Sequence, residues 1–496
     1  MENVSLISLL ESSVAQWPDR IFLDDGKRAL SYKDVYVLVN KLSQHLGALG
    51  VEPWDRVAIV SRNSHSVILA LLACNAVGAI PAVLNDKNTE KTLSKIQCSM
   101  EAKVVFLDDS TIPRRLCFPG SEIIQIESIA EIIESYSEAA AFKGKGISTD
   151  PALMIYTSGS TGEPKGIVLS NDNVLFASQK IQERLNYQAD DSIGLFLPLS
   201  FDYGLYQAFL AAQVGARLVI YDANSAGPAL VNTLKQGGIT VFPGVPHLFS
   251  MLTKFLSRRD MALPKIRVCT NTGAHLPASQ IDLLNKFLPN ARVYPMYGLT
   301  ECKRISILTP EEAAERPNSV GRPLDDTEVL VVNKKGVPVG PGEVGELVVS
   351  GRHLALGYWK SDEENALRYR NHPKGIGRAL YTGDEFKKDA DGYLYYIGRS
   401  DDQIKRNGFR IHRLEIENAA MEISGVQTAC VVQTANNELV LAVCMNDQGI
   451  SESDVLSELA SVLEPYKVPD RVVFQESIPI SANGKTDRKR VREIIA

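Results

Sequence analysis

The chain has 496 residues, of which 45% are hydrophobic and 23% charged, and its net charge at pH 7 is -6. This length predicts about three domain-sized units of roughly 150 residues each, and the composition is that of a folded globular protein, which excludes a disordered chain. Because a nucleic-acid binder usually carries a basic patch, the acidic balance and the scattered Lys and Arg argue against DNA or RNA as the main partner.

The N-terminus and the cysteines predict a cytoplasmic protein. The N-terminal segment carries Glu2 before a short apolar stretch and lacks the basic start of a secretory signal. The seven cysteines are widely spaced and include no Cys-x-x-Cys pair, which is typical of a reducing compartment.

Residues 66–84 carry no charge and are about long enough to cross a bilayer. However, Gly78 and Pro81 divide them into a helix-like piece, 67–77, and a strand-like piece, 80–84. We therefore expect a buried helix followed by a buried strand, and no membrane span.

A pattern of helix, glycine and strand occurs twice in the chain. Residues 70–79 (ALLACNAVGA) are echoed by residues 208–216 (AFLAAQVGA), and each segment continues into an apolar run. Short apolar runs separated by helical stretches are typical of parallel sheets covered by helices. The strand candidates are 56–60, 103–107, 217–221 and 238–242.

Composition changes mark the later organisation. Residues 131–150 are rich in Ser, Glu, Ala, Lys and Gly and predict a surface linker. Short strand candidates beyond residue 325 predict a small β-rich module, at 328–332, 345–349 and 393–397. After Arg399, roughly ninety residues alternate between helix and strand, which is typical of a small α+β domain. We place the boundary at Asp401, so that residues 1–400 and 401–496 form two domains.

The strongest chemical signal is the segment 156–166 (YTSGSTGEPKG), between strand candidates at 152–155 and 167–169. Hydroxyls, a lysine and backbone amides exposed by glycines suit the oxygens of a polyphosphate. A Walker A loop is excluded because Pro164 precedes the lysine and the loop joins two strands. Composition alone would also fit a flexible loop. The candidate phosphate-binding residues are Thr157, Ser158, Gly159, Ser160, Thr161, Gly162 and Lys165.

Four further segments follow in order: YGLTECKRIS (297–306), YTGDEF (381–386), GRSDDQIKRNGFRIH (398–412) and PISANGKTDRK (479–489). With the loop, they resemble the AMP-binding, adenylate-forming superfamily, which includes acyl-CoA synthetases, luciferases and stand-alone amino-acid adenylation enzymes. The resemblance spans the whole chain. It implies an α/β fold, with a large N-terminal domain of two helix-covered sheet subdomains plus a small β-rich module, and a small mobile α+β C-terminal domain.

The resemblance implies an ATP site. Tyr297 would stack on adenine beside the small residues Gly273 and Ala274, with Gly298 in the same binding set. Asp384 would accept hydrogen bonds from the ribose hydroxyls, and Arg399 would contact ribose or phosphate.

The resemblance also implies the reacting groups. Thr300 would bind the α-phosphate and Glu301 would hold Mg²⁺, a hard cation that prefers carboxylate oxygen. Lys485 would be the catalytic lysine that bridges the substrate carboxylate and the α-phosphate, and Lys165 and Glu301 complete the catalytic set.

The C-terminal domain is expected to rotate between two half-reactions. Asp401 would be the hinge, and Gly408 and Arg410 would face the site when the thiol acceptor binds.

The acid-binding residues are less defined. The segment 197–209 (LPLSFDYGLYQAF) resembles that of amino-acid activators, in which an aspartate binds the substrate ammonium group; here that residue is Asp202. Asp202 would equally suit the N-cap of the helix predicted over 203–212. Arg304 would either meet a second anionic group on the substrate or form a salt bridge away from it. Tyr203, Tyr206 and Thr272 complete the predicted acid-binding set.

These features predict an AMP-forming ligase that activates a small carboxylic acid with ATP and passes the acyl group to coenzyme A or to the phosphopantetheine of a separate carrier protein. Phosphoryl chemistry of this kind needs positioning and charge stabilisation more than a protein nucleophile. Two alternatives stay open, a luciferase-like oxidation of the adenylate and a catalytically idle nucleotide-binding homologue. The sequence leaves open the acid (fatty, aromatic or amino acid), the acceptor, the oligomeric state and the pathway.

Overall fold

The structure is a computed structural model that describes residues 4–108, 117–136, 146–158, 163–222, 227, 229–399, 403–406, 409–434, 438–445, 450–481 and 486–495.

The strands of the described residues are β1 (Ile21–Asp24), β2 (Ala29–Ser31), β3 (Arg56–Val60), β4 (Ile80–Leu84), β5 (Val104–Leu107), β6 (Glu122–Gln125), β7 (Pro151–Ser158), β8 (Pro164–Ser170), β9 (Ser192–Leu195), β10 (Arg217–Ile220), β11 (Val241–Gly244), β12 (Val268–Asn271), β13 (Arg292–Tyr297), β14 (Ser306–Ile307), β15 (Arg322–Pro323), β16 (Thr327–Val332), β17 (Val344–Gly351), β18 (Gly357–Tyr358), β19 (Tyr369–Asn371), β20 (Arg378–Lys388), β21 (Leu394–Arg399), β22 (Gln403–Arg406), β23 (Phe409–His412), β24 (Val426–Gln433), β25 (Leu439–Met445) and β26 (Arg471–Phe474).

The helices of the described residues are α1 (Leu6–Gln16), α2 (Tyr32–Ala48), α3 (His65–Ala76), α4 (Glu90–Met100), α5 (Ile129–Glu134), α6 (Asn171–Leu185), α7 (Asp202–Val214), α8 (Leu230–Gln236), α9 (Pro246–Arg259), α10 (Ala278–Phe287), α11 (Pro310–Glu315), α12 (Asp362–Arg368), α13 (Arg413–Met421), α14 (Glu452–Val462) and α15 (Arg488–Ile495).

Two large sheets form the N-terminal part. One runs β15-β14-β13-β12-β11-β9-β10-β1-β2 and the other β18-β8-β7-β4-β3-β5-β6. Their central pairs, such as β12 with β13 and β3 with β4, are parallel, and helices contribute to the same buried core as the strands. The predicted pair of helix-covered α/β units is confirmed.

The repeated helix, glycine and strand pattern forms two similar corners. Helix α3 ends at Ala76 and helix α7 at Val214, and each is followed by a glycine with positive φ, Gly78 at 78° and Gly215 at 75°. Glycine adopts this left-handed conformation without a Cβ penalty, so the chain can turn at once into β4 or β10. The uncharged segment 66–84 is therefore a buried helix and strand, and no described helix is both long and apolar enough to cross a membrane.

The β-rich module and the C-terminal part follow as predicted. Strands β16, β17, β19, β20 and β21 form a five-stranded sheet. The residues beyond 402 form a two-stranded sheet, β22-β23, and a three-stranded sheet, β24-β25-β26, with helices α13 to α15. A separate hydrophobic cluster that includes Ile411, Val431 and Leu459 supports this part. Asp401 lies outside the described residues, so the boundary at this residue stays a prediction.

The predicted linker over 131–150 needs one adjustment. Its first residues lie in helix α5, because Ile129 and Ile133 are buried against the core and hold the helix there. Residues 137–145 lie outside the described residues.

Candidate active site

The predicted phosphate loop connects the two strands of a hairpin. Strands β7 and β8 are antiparallel, and Thr157 pairs with Lys165 in register. This arrangement confirms that the loop joins two strands. Gly159, Ser160, Thr161 and Gly162 lie outside the described residues, and Ser158 is described only as the backbone end of β7.

A cavity of about 360 Å³, which we call the charged cavity, lies at the end of this hairpin. It brings together the ends of β7 and β13, the turn after β12, and helix α12. Its lining residues are Thr157, Lys165, Phe201, Asp202, Thr272, Gly273, Gly298, Leu299, Thr300, Glu301, Lys303, Arg304, Tyr358, Glu364, Arg368 and Arg399.

Lys165 has an acidic partner inside the charged cavity. Its Nζ lies 2.8 Å from Oε2 of Glu364 and 5.9 Å from the centre of the Tyr358 ring. Glu364 also lies 3.8 Å from the guanidinium of Arg368. Glu364, Arg368 and Tyr358 were not predicted, because no local sequence pattern marks these residues of helix α12 and strand β18.

Glu301 is fixed at the other wall of the charged cavity. The Tyr358 hydroxyl donates to its Oε1 at 2.6 Å, and its backbone carbonyl accepts from the Ala355 N–H at 2.8 Å. Burial and the Glu301 charge raise the pKa of Tyr358, so the phenol stays protonated and donates. Among the described residues no group of three or more His, Cys, Asp or Glu forms a metal cage. A cation at Glu301 would therefore take its other ligands from substrate and water, as Mg²⁺ does with phosphates.

A second cavity of about 360 Å³, which we call the apolar cavity, lies between the sheet edge at β12 and β13 and helices α10 and α11. Gly273, Ala274, Tyr297, Gly298, Asp384 and Arg399 all line it. Gly273 has φ of 90°. A Cβ on Gly298 would lie 2.1 Å from the Lys303 carbonyl oxygen, so only glycine fits at that position.

Tyr297 and Asp384 form the polar centre of the apolar cavity. The Tyr297 hydroxyl donates to Asp384 Oδ2 at 2.6 Å, and its ring stacks on Tyr396 with centroids 5.8 Å apart. Burial raises the pKa of Asp384, against the attraction of Arg399, whose Nη1 lies 3.6 Å from Oδ1. Asp384 Oδ1 is buried and makes no hydrogen bond to a described residue, so beside its ion pair with Arg399 it retains capacity to accept a hydrogen bond.

The two cavities are neighbours with a common wall. Thr272, Gly273, Gly298, Leu299 and Arg399 line both. One elongated ligand can therefore extend from the Tyr297 ring to the side chains of Lys165 and Glu301.

Asp202 is not the N-cap of its helix. Helix α7 begins at Asp202 itself, and the capping residue is Phe201, which makes no side-chain cap bond. The N-cap alternative is wrong because the carboxylate turns instead to a buried cation, accepting a hydrogen bond from Lys303 Nζ at 3.1 Å. Asp202 is 7% exposed and Lys303 3%, and burial lowers the pKa of Lys303 to about 8.

Arg304 is a buried cation beside this pair, at 3% exposure. Its Nη1 donates to Thr272 Oγ1 at 2.7 Å, and its Nε has no hydrogen-bond partner among the described residues. In the described part of the chain Arg304 makes no ion pair with an acid within 4 Å, so the salt-bridge alternative finds no partner there. Burial lowers the pKa of Arg304, and the Tyr203 hydroxyl and the Asp202 charge oppose this shift only in part.

The rings of Tyr203 and Tyr206 pack against the cationic side chains of Lys303 and Arg304. The Lys303 Nζ lies 4.2 Å from the centre of the Tyr206 ring, and the Tyr203 hydroxyl donates to the Thr270 carbonyl oxygen at 2.7 Å. The sequence analysis missed Lys303, although it adjoins the predicted Arg304, because side chains next to each other usually diverge. A backbone φ of 52° at Lys303 brings both inward.

The C-terminal candidates are only partly described. Lys485, Asp401 and Gly408 lie outside the described residues, and of Arg410 only the backbone in β23 is described. Strands β22 and β23 pair as an antiparallel hairpin. His412 Nε2 lies 2.9 Å from Glu385 Oε2, so the hairpin base lies next to the strand that carries Asp384.

The chain is similar to known proteins over its whole length. The model of the family described as "AMP-binding enzyme" matches residues 10–359, and that of "AMP-binding enzyme C-terminal domain" matches residues 415–485. A curated relative, Surfactin synthase subunit 2 of Bacillus subtilis (strain 168), is 29% identical over 98% of this chain. The chain spans only 14% of that relative's length.

Solved structures agree with this fold. VinN is 31% identical, with a TM-score of 0.74 over 80% of this chain and 100% of VinN, and VinN has also been solved in complex with L-aspartate. The anthranilate CoA ligase AuaEII, at 22% identity, shares the fold with a TM-score of 0.91 over 100% of this chain and 98% of its own. Since the family model covers well over half of the chain, the chain belongs to the AMP-binding enzymes, the adenylate-forming ligases.

Proposed function

We propose that this chain activates a small carboxylic acid with ATP and transfers the acyl group to a thiol. A carboxylate oxygen attacks the α-phosphorus of ATP, the bond from the α-phosphorus to the bridging oxygen breaks, and pyrophosphate leaves with that oxygen. A thiol sulfur then attacks the acyl carbon of the acyl-AMP, the C–O bond breaks, AMP leaves, and the thiol proton passes to solvent. The first step needs positioning and charge stabilisation rather than a protein nucleophile.

The observation that carries this proposal is the common wall between the two cavities. Tyr297, Gly273 and Ala274 are suited to adenine, and Asp384 Oδ1, which accepts no hydrogen bond from a described residue, is suited to a ribose hydroxyl. Arg399, which lines both cavities, would contact the sugar or the phosphates. The triphosphate then extends towards Thr157, Lys165 and Thr300 in the charged cavity, together with residues 158–162 and Lys485 as the family resemblance implies.

We further propose that Glu301 holds Mg²⁺ through its Oε2, since its Oε1 is bonded to Tyr358. The ion would supply charge neutralisation of the phosphates. The residues themselves orient the nucleotide and the acid.

For the acid, we propose a second carboxylate that contacts Arg304. Lys303, Arg304 and Asp202 carry a net charge of +1 when all are ionised, and an uncompensated guanidinium is costly to bury. A second carboxylate would supply the missing charge and a bidentate partner for the guanidinium. VinN, whose structure contains L-aspartate, supports this choice. An amine on the acid would share Asp202 with Lys303.

A pyrophosphate-release screen tests the function and the acid together. L-aspartate is compared with L-alanine, β-alanine, benzoate and hexanoate, at equal concentrations. We expect the diacid to be preferred, and Arg304→Gln to lower its kcat/KM by about 10- to 100-fold, the value of a charged hydrogen-bonded pair, with little change for the monoacids. Asp202→Ala tests the ammonium role, because it should penalise only acids that carry an amine. Equal loss with all acids would contradict the assignment of Arg304.

The acceptor is the sulfur of a phosphopantetheine arm, which coenzyme A and carrier proteins share, so both are supplied in the assay. We propose that residues 401–496 rotate about Asp401 between the half-reactions. Asp401→Pro should then spare pyrophosphate release and impair thioester formation. Equal loss of both steps would contradict the rotation. Acid-dependent oxygen consumption would instead favour the luciferase-like alternative, and no pyrophosphate with any acid would favour an idle homologue.

A further inference from the structure

The side-chain amide of Asn271 is buried, and its nitrogen has no hydrogen-bond partner among the described residues. Asn271 is 1% exposed and lines the apolar cavity. A buried amide left unsatisfied costs roughly 1–3 kcal/mol. Such groups therefore usually mark a place where a ligand or an ordered water binds.

The sheet explains why this amide has no partner from the neighbouring strands. Asn271 is the last residue of β12, and its register partners are Gly244 in β11 and Pro295 in β13. Directly opposed residues of a parallel sheet point to the same face. Glycine has no side chain and the proline ring no polar group, so neither neighbour can bond the amide.

The same register places the amide near the Tyr297 ring. Pro295 and Tyr297 are two residues apart in β13 and therefore share a face. Asn271 and Tyr297 are then diagonal neighbours that line one cavity. A flat base against the Tyr297 ring would therefore have an edge near the Asn271 amide.

We propose that Asn271 selects adenine by hydrogen-bonding the edge that carries the 6-amino group, an inference that rests on the proposed use of ATP. An amide presents one donor and one acceptor side by side. Adenine presents the complementary pair, its 6-amino donor and an adjacent ring-nitrogen acceptor, whereas guanine and hypoxanthine place a carbonyl acceptor at that position. Either orientation of the amide supplies the pair.

The test compares nucleotides that differ only at this edge. Pyrophosphate release is measured with ATP and with purine riboside triphosphate, which lacks the 6-amino group. Wild type should prefer ATP, and Asn271→Ala should narrow the ratio of the two kcat/KM values by about 10- to 100-fold. Asn290→Ala is the matched control, because this exposed asparagine, whose amide donates to the Pro264 carbonyl oxygen, lines neither cavity.

An unchanged ratio would overturn the inference, whether both activities fall together or neither falls. If the alanine variant does not fold, the ratio of the two kcat/KM values is measured instead with Asn271→Ser, which keeps one hydrogen-bonding group. Calorimetric binding of AMP against IMP separates this inference from the proposed function. A loss of AMP preference in the variant supports adenine selection even if no acid releases pyrophosphate, and equal affinities in wild type contradict it.

Discussion

The apolar and the charged cavity differ in how the protein satisfies their polar groups. In the apolar cavity, Asp384 Oδ1 and the Asn271 amide nitrogen have no hydrogen-bond partner among the described residues. In the charged cavity, Lys165 is paired with Glu364 and Lys303 with Asp202. The apolar cavity therefore offers groups that lack hydrogen-bond partners. In the charged cavity a ligand that binds either lysine must displace its acidic partner, whereas Arg304 has no acidic partner among the described residues. Predictions at four residues can break or sharpen this contrast.

The largest effect is expected at Lys485, which lies outside the described residues. Because the described lysines of the charged cavity already have acidic partners, we expect a further lysine to stabilise the reacting α-phosphate. Lys485→Ala should lower acid-dependent pyrophosphate release by about 100- to 1,000-fold, while thiolysis of supplied acyl-adenylate largely survives. Lys489→Ala, an exposed lysine nearby, is the control. Equal loss of both half-reactions would refute this division of roles.

Next is Asp384 in the apolar cavity. Asp384→Asn replaces one acceptor oxygen by a donor and removes a charge, so kcat/KM for ATP should fall by roughly 10- to 100-fold. A 2′-deoxy-ATP substrate should lose less in the variant than ATP does. Asp391→Asn, on the surface beside Arg316, should change neither value. A variant that discriminates between the two nucleotides as wild type does would argue against the ribose contact.

The pH dependence of acid binding tests the Lys303 pair. Burial lowers the pKa of Lys303 from 10.5 to about 8, so the ammonium is charged below that pH and neutral above it. The KM for a diacid should rise about fivefold to tenfold between pH 7 and pH 9 as this charge is lost. Lys303→Met should remove the dependence, and Lys303→Arg should keep the low KM at high pH. A KM that falls with pH in wild type would contradict the assignment.

The lowered pKa of Lys303 also makes the stability of the fold depend on pH. The folded-state pKa lies below the unfolded value, so the unfolded chain holds one more proton between about pH 8 and pH 10.5. The contribution of Lys303 to the free energy of unfolding therefore increases with pH across this window. The difference in chemical denaturation between wild type and Lys303→Met measures it.

The smallest effect is expected at Glu364. Glu364→Gln removes the partner with which a phosphate competes for Lys165, so the KM for ATP should fall by about twofold to fivefold, the worth of a partly exposed ion pair. Glu363→Gln, exposed on the same helix, should leave the KM unchanged. An increased KM would mean that Glu364 positions Lys165 rather than competing for it.

The sheets could be predicted from the sequence for physical reasons, whereas the roles of the motif residues stay predictions. Thr157 lies near the end of β7 in one large sheet, and Tyr297 and Glu301 lie at and after the end of β13 in the other, so these motif residues line adjoining cavities where the two strand ends meet. Strand β3 begins and ends where its apolar run does, because that run is buried almost throughout.

Side-chain pairing across the fold was beyond prediction. Glu364 is 199 residues from Lys165 in the chain, and only the placement of helix α12 against the hairpin makes them partners. Asp202 had the position of a helix cap, but a buried lysine from a distant turn competes better for its carboxylate than the helix N–H groups do. The unpartnered Asn271 amide could not be predicted from the sequence. It lacks a partner because its register neighbours in β11 and β13 have no polar side chains, and this pairing appears only in the folded sheet.

Product analysis with α-³²P-labelled ATP and L-aspartate, without a thiol, tests the central claim most directly. The two-cavity site predicts that label appears in enzyme-bound acyl-AMP with an equivalent of pyrophosphate, and that AMP is released when coenzyme A or a carrier protein is added. Label in ADP, or AMP formation that does not depend on the acid, would contradict it.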